Sequence, residues 1–459
     1  MKNVNRLNKH NDMIELKSIE VQKLFGVFHH HIEFDQQQDV TILLGQNGIG
    51  KTALLRLLNM IFNHQLSKLT EIPFKSAVLK FSNGQELHIT QSKDLAEYDN
   101  IQDYDISNGD FMNSTSCSII AENVKDALRS IRNYTSENYK NDEDVWIDRK
   151  TGEWMSSEEL AWRCQEKEPD LLMECKDIYP VWLYNIIDSI KVSFVQTQRL
   201  QTQVASVVPG RVLSKNILEY RSTLKLIADE MKERIVKIQQ EYGQKSAELD
   251  QSYPYRLVDN MQELVFTKAE LMTVESSLEK LEKRRERLME AGLLKKTEWQ
   301  PRKLNNPTKS RYVLKAITLY IKDTKEKFEL FDEELKKIEL FRKMLNDRLL
   351  MKHVVVNATD GIAVESTETG FDIPLEKLSS GEQHLLVLYY DMIFRFAEGT
   401  LVLVDEPEIS LHVSWQKRFV GELIKILDIN GMKAIIATHS PSLIGKYWDL
   451  TQELDKNLA

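Results

Sequence analysis

Cysteine is nearly absent: the chain of 459 residues holds three, Cys117, Cys164 and Cys175. They form no CxxC pair and stand at no metal-ligand spacing with histidine. That argues against a disulfide framework and a structural zinc, and fits a reducing cytoplasm. Long apolar runs are missing as well. None approaches the ~18 residues that would cross a bilayer, so no membrane segment or membrane partner is expected. The opening residues, MKNVNRLNKHND, have no apolar core of a secretory signal; residues 1–12 read as a disordered arm, with the first strand-like run starting at Met13. An excess of positive charge is lacking too, since 61 Lys and Arg face 70 Asp and Glu for a formal net charge of −9. Wholesale coating of nucleic acid is therefore disfavoured, although a local basic patch remains open.

What the chain does hold is an α/β pattern at both ends around a charged centre. Asp39 to Leu44 is a short buried strand, followed by a Gly-rich loop and by ALLRLLNMIF, whose apolar spacing predicts a helix. Residues 77–90 alternate apolar and polar around an Asn-Gly pair at 83–84, the mark of a hairpin. From Asp94 to Asp110 there are six acidic residues and no Lys or Arg, which reads as a solvated loop. Residues 113–190 form a mixed insert with four of the seven tryptophans, which read as core anchors. The strand at 191–195 then returns the chain to the first domain.

The stretch from 213 to 350 differs in kind. Leu264, Leu271, Val274, Leu278, Leu281 and Leu288 keep a three–four spacing. So do Leu314, Ile317, Ile321, Phe328, Phe331, Leu335, Ile338, Leu345 and Leu349. A helix-breaking segment, Gly292 to Pro307, separates the two series, and an antiparallel coiled-coil hairpin is expected with its turn there. Ten Lys and Arg against three Glu between Lys283 and Arg311 would make that turn a basic end. It is either a solvated face or a landing site for an acidic partner.

Chemistry concentrates in four places. Gly45-Gln-Asn47-Gly48-Ile-Gly50-Lys51-Thr52 satisfies GxxxxGK[ST] between a buried strand and a helix. Its glycines let backbone N–H groups ring phosphates, Lys51 would reach the β/γ-phosphates, and Thr52 would offer its hydroxyl to Mg²⁺. Thr400 to Val404 is an apolar strand that delivers Asp405 and Glu406 at its end. Asp405 suits the metal and Glu406 the orientation or deprotonation of the attacking water. In Leu378-Ser379-Ser380-Gly381-Glu382-Gln383 a Ser stands three residues before a Glu ahead of an apolar helix. That is a capping box, or a γ-phosphate site made of Ser379, the Gly381 N–H and the helix dipole. Finally, the apolar run from Lys433 leads to His439, placed to sense a γ-phosphate.

In this order the four segments resemble the ATP-binding cassette (ABC) ATPases. The resemblance implies an α/β P-loop head formed by 13–112, 191–212 and 351–459, with ATP and Mg²⁺ as cofactors. It makes Lys51 and Thr52 the Walker A pair and Asp405 and Glu406 the Walker B pair. Ser379 to Gln383 become the signature and His439 the switch histidine. It also makes Gln198, with Gln196 as competitor, the Q-loop glutamine on Mg²⁺ and water. It further implies a head-to-head homo-oligomer, at least a dimer, in which the signature of one copy closes over ATP held by the other. Ser380 stands where many relatives have Gly, and His412 where transporters have Asp.

Lys51 and Ser379 lie more than 300 residues apart with the helical stretch between them, so the layout resembles the SMC, RecF and overcoming-lysogenization-defect ATPases rather than transporters. Too few residues follow Pro441 for a Toprim nuclease domain. The DEPEISLH and ATHSP phrases resemble the stand-alone ATPase subunits of bacterial anti-phage systems, PARIS type first and Septu type second. What this implies is a cytoplasmic sensor and scaffold that holds a separate nuclease, of Toprim type, inactive until a phage-encoded trigger protein, acidic or DNA-mimicking, arrives. A DNA-repair ATPase that clamps duplex DNA on its heads is the rival expectation.

Overall fold

The computed structural model describes residues 14–35, 37–91, 103–108, 115–120, 139–142, 145–148, 154–156, 181–195, 201–205, 218–259, 268–295 and 311–454. They divide into two compact units. One takes Met1–Gln198, Gln203–Glu219 and Phe396–Ala459; the other takes Arg199–Thr202 and Tyr220–Arg395. The arm at 1–12 lies outside the described residues.

Apolar strands dictate the layers of the first unit. Val40–Leu44 (β3), Val192–Val195 (β11), Leu401–Asp405 (β15), Lys433–Thr438 (β16) and Thr451–Glu453 (β17) form a parallel sheet in the order β11-β15-β16-β3-β17. Most residues of β3, β15 and β16 are buried, as expected of a parallel sheet covered on both faces. A second, antiparallel sheet runs β2-β1-β4-β5-β6-β7, from Leu16–Leu24 (β1), Phe28–Glu33 (β2), Ser76–Phe81 (β4), Glu86–Gln91 (β5), Asp103–Asn108 (β6) and Thr115–Ile120 (β7). Helix α1 (Lys51–Phe62) carries apolar residues around most of its circumference. One core therefore joins it to both sheets, with Ile19, Leu79 and Ile89 on one side and Leu43, Leu403 and Ile435 on the other.

The hairpin at 77–90 forms as β4 and β5, turning at Gly84. Part of the acidic stretch corrects the expectation of a solvated loop: residues 103–108 are strand β6, paired with β5 (Ile89 opposite Ile106) and with β7 (Ile106 opposite Cys117), while 94–102, 109 and 110 lie outside the described residues. Asp103, Asp105 and Ser107 alternate with Tyr104 and Ile106, a period of two that the acid count conceals. In the insert, Tyr139–Asp142 (β8), Val145–Asp148 (β9) and Trp154–Ser156 (β10) make a small antiparallel sheet. Trp146 is buried there, and Trp182 on α2 (Val181–Asp188) packs on the main core; both act as anchors.

The second unit holds helices α3 (Thr223–Asp259), α4 (Lys268–Glu290), α5 (Arg311–Glu329) and α6 (Asp332–Asn346). It also holds a three-stranded sheet of Lys352–Asn357 (β12), Gly361–Ser366 (β13) and Asp372–Ile373 (β14), and helix α7 (Ser380–Tyr390). The signature segment thus belongs with the helices, and the change of unit falls after Arg395 rather than at 350.

An antiparallel pairing is present, but its partners differ from those expected. Helix α3 runs against the α5–α6 run: Arg256 clasps Asp323 and Tyr253 bonds the Ala316 carbonyl, while Tyr242 meets Phe331 and Arg234 meets Glu334. Helix α4 lies alongside α5–α6 in the same direction, with Arg284 on Asp332 and Arg287 on Glu339. The segment after Glu290 is therefore no outer turn. Arg342 bonds the Glu290 carbonyl, and Gly292 packs on β12. Heptad spacing marks which face of a helix is buried and leaves its partner and direction open. Seam residues of the described part that are buried include Val274, Leu281, Leu288, Leu314, Ile321, Phe328, Phe331, Leu335, Ile338, Leu345 and Leu349. Of the expected basic end, Arg284, Arg285 and Arg287 are engaged along it, and residues 296–310 lie outside the described residues.

Gly292 fixes this junction. Its φ is +73°, and a Cβ there would stand 2.0 Å from the Val356 carbonyl oxygen. Backbone strain and overpacking add, so Gly292→Ala should cost on the order of 2–5 kcal/mol. In a unit of this size that is a drop on the order of 10 °C in unfolding temperature, read by differential scanning calorimetry.

Candidate nucleotide site

Parallel strands whose carboxyl ends share one edge bring separate loops to that edge. Leu44 ends β3 beside Thr438 of β16, and Asp405 ends β15 beside Ala437. The loop after β3, the Asp-Glu pair after β15 and His439 after β16 consequently emerge side by side.

The loop from Gly45 wraps onto the N-terminus of α1. Gly50 has φ +96°, and a Cβ there would lie 2.6 Å from Cδ2 of Leu24, so the turn into the helix requires glycine. Asn47 and Gly48 are exposed at the loop's crest, and Gly45 sits at its foot against Ile49. Lys51 is buried and donates to the carbonyls of Gly45 (2.7 Å) and Gln46 (2.9 Å). Burial pulls its ammonium below the usual lysine range, while Glu406, Glu408 and Asp405 oppose the shift.

Thr52 and Asp405 meet across the sheet: the Thr52 hydroxyl donates to Asp405 Oδ1 at 3.0 Å. Burial raises the Asp405 carboxyl above its ordinary range, the Thr52 hydrogen bond opposing and the Glu406 charge adding. A hydroxyl and a carboxylate converging here are hard oxygen donors of the kind Mg²⁺ takes, so the residues fit that ion. Glu406 has φ 42° and ψ 55°, a left-handed conformation that is uncommon for a side chain longer than Asn. Its N–H is tied to the Ala437 carbonyl at 2.9 Å, and its Oε1 lies 3.7 Å from His439 Nδ1.

In the other unit, the signature segment forms the capping box that its spacing offers. Glu382 N–H donates to Ser379 Oγ, and Glu382 Oε2 accepts from the Ser379 N–H (2.8 Å) and hydroxyl (2.9 Å). Lys352 on β12 donates to both carboxylate oxygens at 2.9 Å. Burial works against ionisation of Glu382, yet these donors hold it below the usual carboxylate range. Gly381 lies in the first turn of α7, and Gln383 donates to the carbonyls of Leu378 and Glu376, closing the preceding loop. Gln196 and Gln198 lie outside the described residues.

Three neighbours of the loop escape sequence reasoning. His30 is buried with Nε2 2.8 Å from the Ile49 carbonyl oxygen, and Phe25, 40% exposed, places Cε2 3.7 Å from where a Gly50 Cβ would be. Neither has a motif. Glu408 receives the Thr438 hydroxyl and the His439 N–H, and its place two residues past Glu406 was its one signal.

The sequence profile of a family described as "AAA ATPase domain" matches residues 15–444. The chain belongs to that family. The curated relatives match only in part. Protein ea59 of Escherichia phage lambda is 39% identical over 70 residues, 15% of this chain and 13% of the relative. A Bacillus thuringiensis protein named as an ABC transporter ATP-binding protein is 39% identical over 71 residues, 16% of this chain and 12% of its own. The matches thus span about an eighth of those relatives' lengths. Among solved structures, the Smc head domain of Pyrococcus furiosus bound to the C-terminal domain of ScpA aligns over 94% of this chain and 91% of that one, at 14% identity and TM-score 0.35. The SMC head domain of Thermotoga maritima aligns over 96% and 94%, at 10% identity and TM-score 0.32.

Proposed function

We propose that this AAA ATPase-domain chain binds ATP with Mg²⁺ at the carboxyl edge of its parallel sheet and hydrolyses it in sites completed by a second copy. The observation that carries this is the Thr52–Asp405 contact beside buried Lys51. It joins two motifs far apart in sequence at one metal-suited point. Bound Mg²⁺ would draw charge from the β- and γ-phosphates. The chain's own work is to hold the phosphates with the 45–50 backbone N–H groups and Lys51, and to orient water with Glu406. Gln198 would join Thr52 and Asp405 on the metal side. His439 would bond the γ-phosphate, and Ser379 and Gly381 of one copy would face the ATP of the other.

The output, in this reading, belongs to a separate protein. The chain acts as the sensor and scaffold of an anti-phage system, holding a Toprim-type nuclease inactive and releasing it when a phage protein binds. Support comes from the layout of the motifs and from the net charge of −9. No helix among the described residues is long and apolar enough to cross a membrane. Nucleotide closure shifts a bound partner only by its differential affinity for the two states, about 1–3 kcal/mol per coupled site, so several sites would sharpen release. The purified chain should hydrolyse ATP slowly and leave DNA and RNA intact in Mg²⁺ or Mn²⁺. Strong metal-dependent cleavage would refute the scaffold reading, and ATP-dependent retention on duplex DNA would replace it with a DNA clamp.

A further inference from the structure

A site that hydrolyses ATP, the reading on which this inference rests, leaves one buried group without a task. Glu408 lies two residues beyond Glu406, its side chain 5% exposed. Its Oε1 accepts from the Thr438 hydroxyl at 2.6 Å and from the His439 N–H at 3.0 Å, and stands 3.1 Å from His439 Nδ1. Its Oε2 is buried with no hydrogen-bond partner among the described residues. A buried carboxylate oxygen without a protein donor is costly, and packing alone does not call for it.

A carboxylate accepts and cannot donate, so a hydrogen bond across this 3.1 Å approach would place the hydrogen on Nδ1 of His439. Two carboxylates compete for that N–H. Glu408 is the nearer at 3.1 Å, with Glu406 at 3.7 Å. Glu408 Oε1 is also held by the His439 backbone N–H, and the Glu408 main-chain carbonyl accepts from Gln416 Nε2 at 3.1 Å. Glu406 has no comparable side-chain clamp, and its oxygens must remain free for water.

We propose that Glu408 is the positioning residue of the hydrolytic site. It holds the Nδ1–H of His439, fixing tautomer and ring orientation so that Nε2 is the nitrogen offered to the γ-phosphate. By the same bond it keeps the histidine from capping Glu406. Loss of Glu408 then harms the chemical step twice, through a misdirected His439 and through an occupied Glu406, while the phosphate cradle stays intact.

The test is steady-state ATPase kinetics joined to equilibrium binding of a fluorescent ATP analogue. Glu408→Gln should lower kcat by about 10–100-fold, as loss of a residue orienting a functional histidine does, with analogue affinity within about threefold. In a His439→Ala background the same change should add less than about twofold, since the two residues act as one unit. Thr438→Val removes another donor from the same carboxylate oxygen without touching the ring, and should keep kcat within about threefold. Should Glu408→Gln fail to fold, Glu408→Asp, which keeps the charge and withdraws it from Nδ1, carries the same expectation. Three results would overturn the proposal in an active wild-type background: unchanged kcat, an undiminished loss in the His439→Ala background, or an equal loss in Thr438→Val. A wild-type chain with no ATPase activity would instead sink the ATP hydrolysis reading beneath it.

Discussion

Glu406→Gln should leave ATP bound and slow its hydrolysis by about 10²–10³-fold. The substitution is nearly isosteric, so the left-handed backbone at 406 and its N–H bond to Ala437 are carried over unchanged. The Thr52–Asp405 contact and Lys51 are untouched, which preserves the groups that would bind nucleotide and metal. Only the negative charge that orients or deprotonates water disappears. ATP-bound copies should then accumulate as a closed dimer, seen as an ATP-dependent rise in mass by light scattering. A Glu406→Gln chain that turned over at the wild-type rate would remove Glu406 from the reaction.

Lys51→Ala should weaken ATP binding by about 10²-fold or more, because the ammonium that would reach the β- and γ-phosphates is lost. Nothing else in the loop substitutes for it. The ammonium is buried under Gly45 and Gln46, and the nearest ionisable groups acting on it are three carboxylates. Ser379→Arg, by contrast, should bind ATP and fail to hydrolyse it. Mixing the two inactive chains pairs an intact P-loop from one with an intact signature from the other. Random pairing should then restore roughly a quarter of wild-type sites. A mixture with no recovered activity would refute sites shared between copies.

The head was legible because its chemistry demands rare combinations. A buried strand, a glycine loop and Lys-Thr together predict one geometry, and Thr52 indeed meets Asp405, 353 positions away. Strand β6 was hidden by its acids, since charge count speaks of solvation and alternation speaks of pairing, and at 103–108 alternation prevailed. The helical arm shows a different limit. Most described seam residues are buried as their spacing requires, with Leu278 and Ile317 half-buried, yet a heptad seam carries no label for its partner, so the direction of α4 is read from Arg284, Arg287 and Gly292. Glu408 was missed because an acid beside two acids looks redundant until its hydrogen bonds are seen.

Among the described residues, three helical runs rather than two share the length of that arm: α3 in one direction, α4 and the α5–α6 run in the other. Insertions and deletions must respect this. In a two-rod hairpin a heptad added to each rod lengthens the arm and keeps every seam in register. Here the same pair of insertions would leave the third run a turn or two short and slide Arg284 and Arg287 past Asp332 and Glu339. Natural variation in the reach of this arm should therefore come in coordinated triplets of equal size, and arm length should change far more rarely among relatives than the sequence along it.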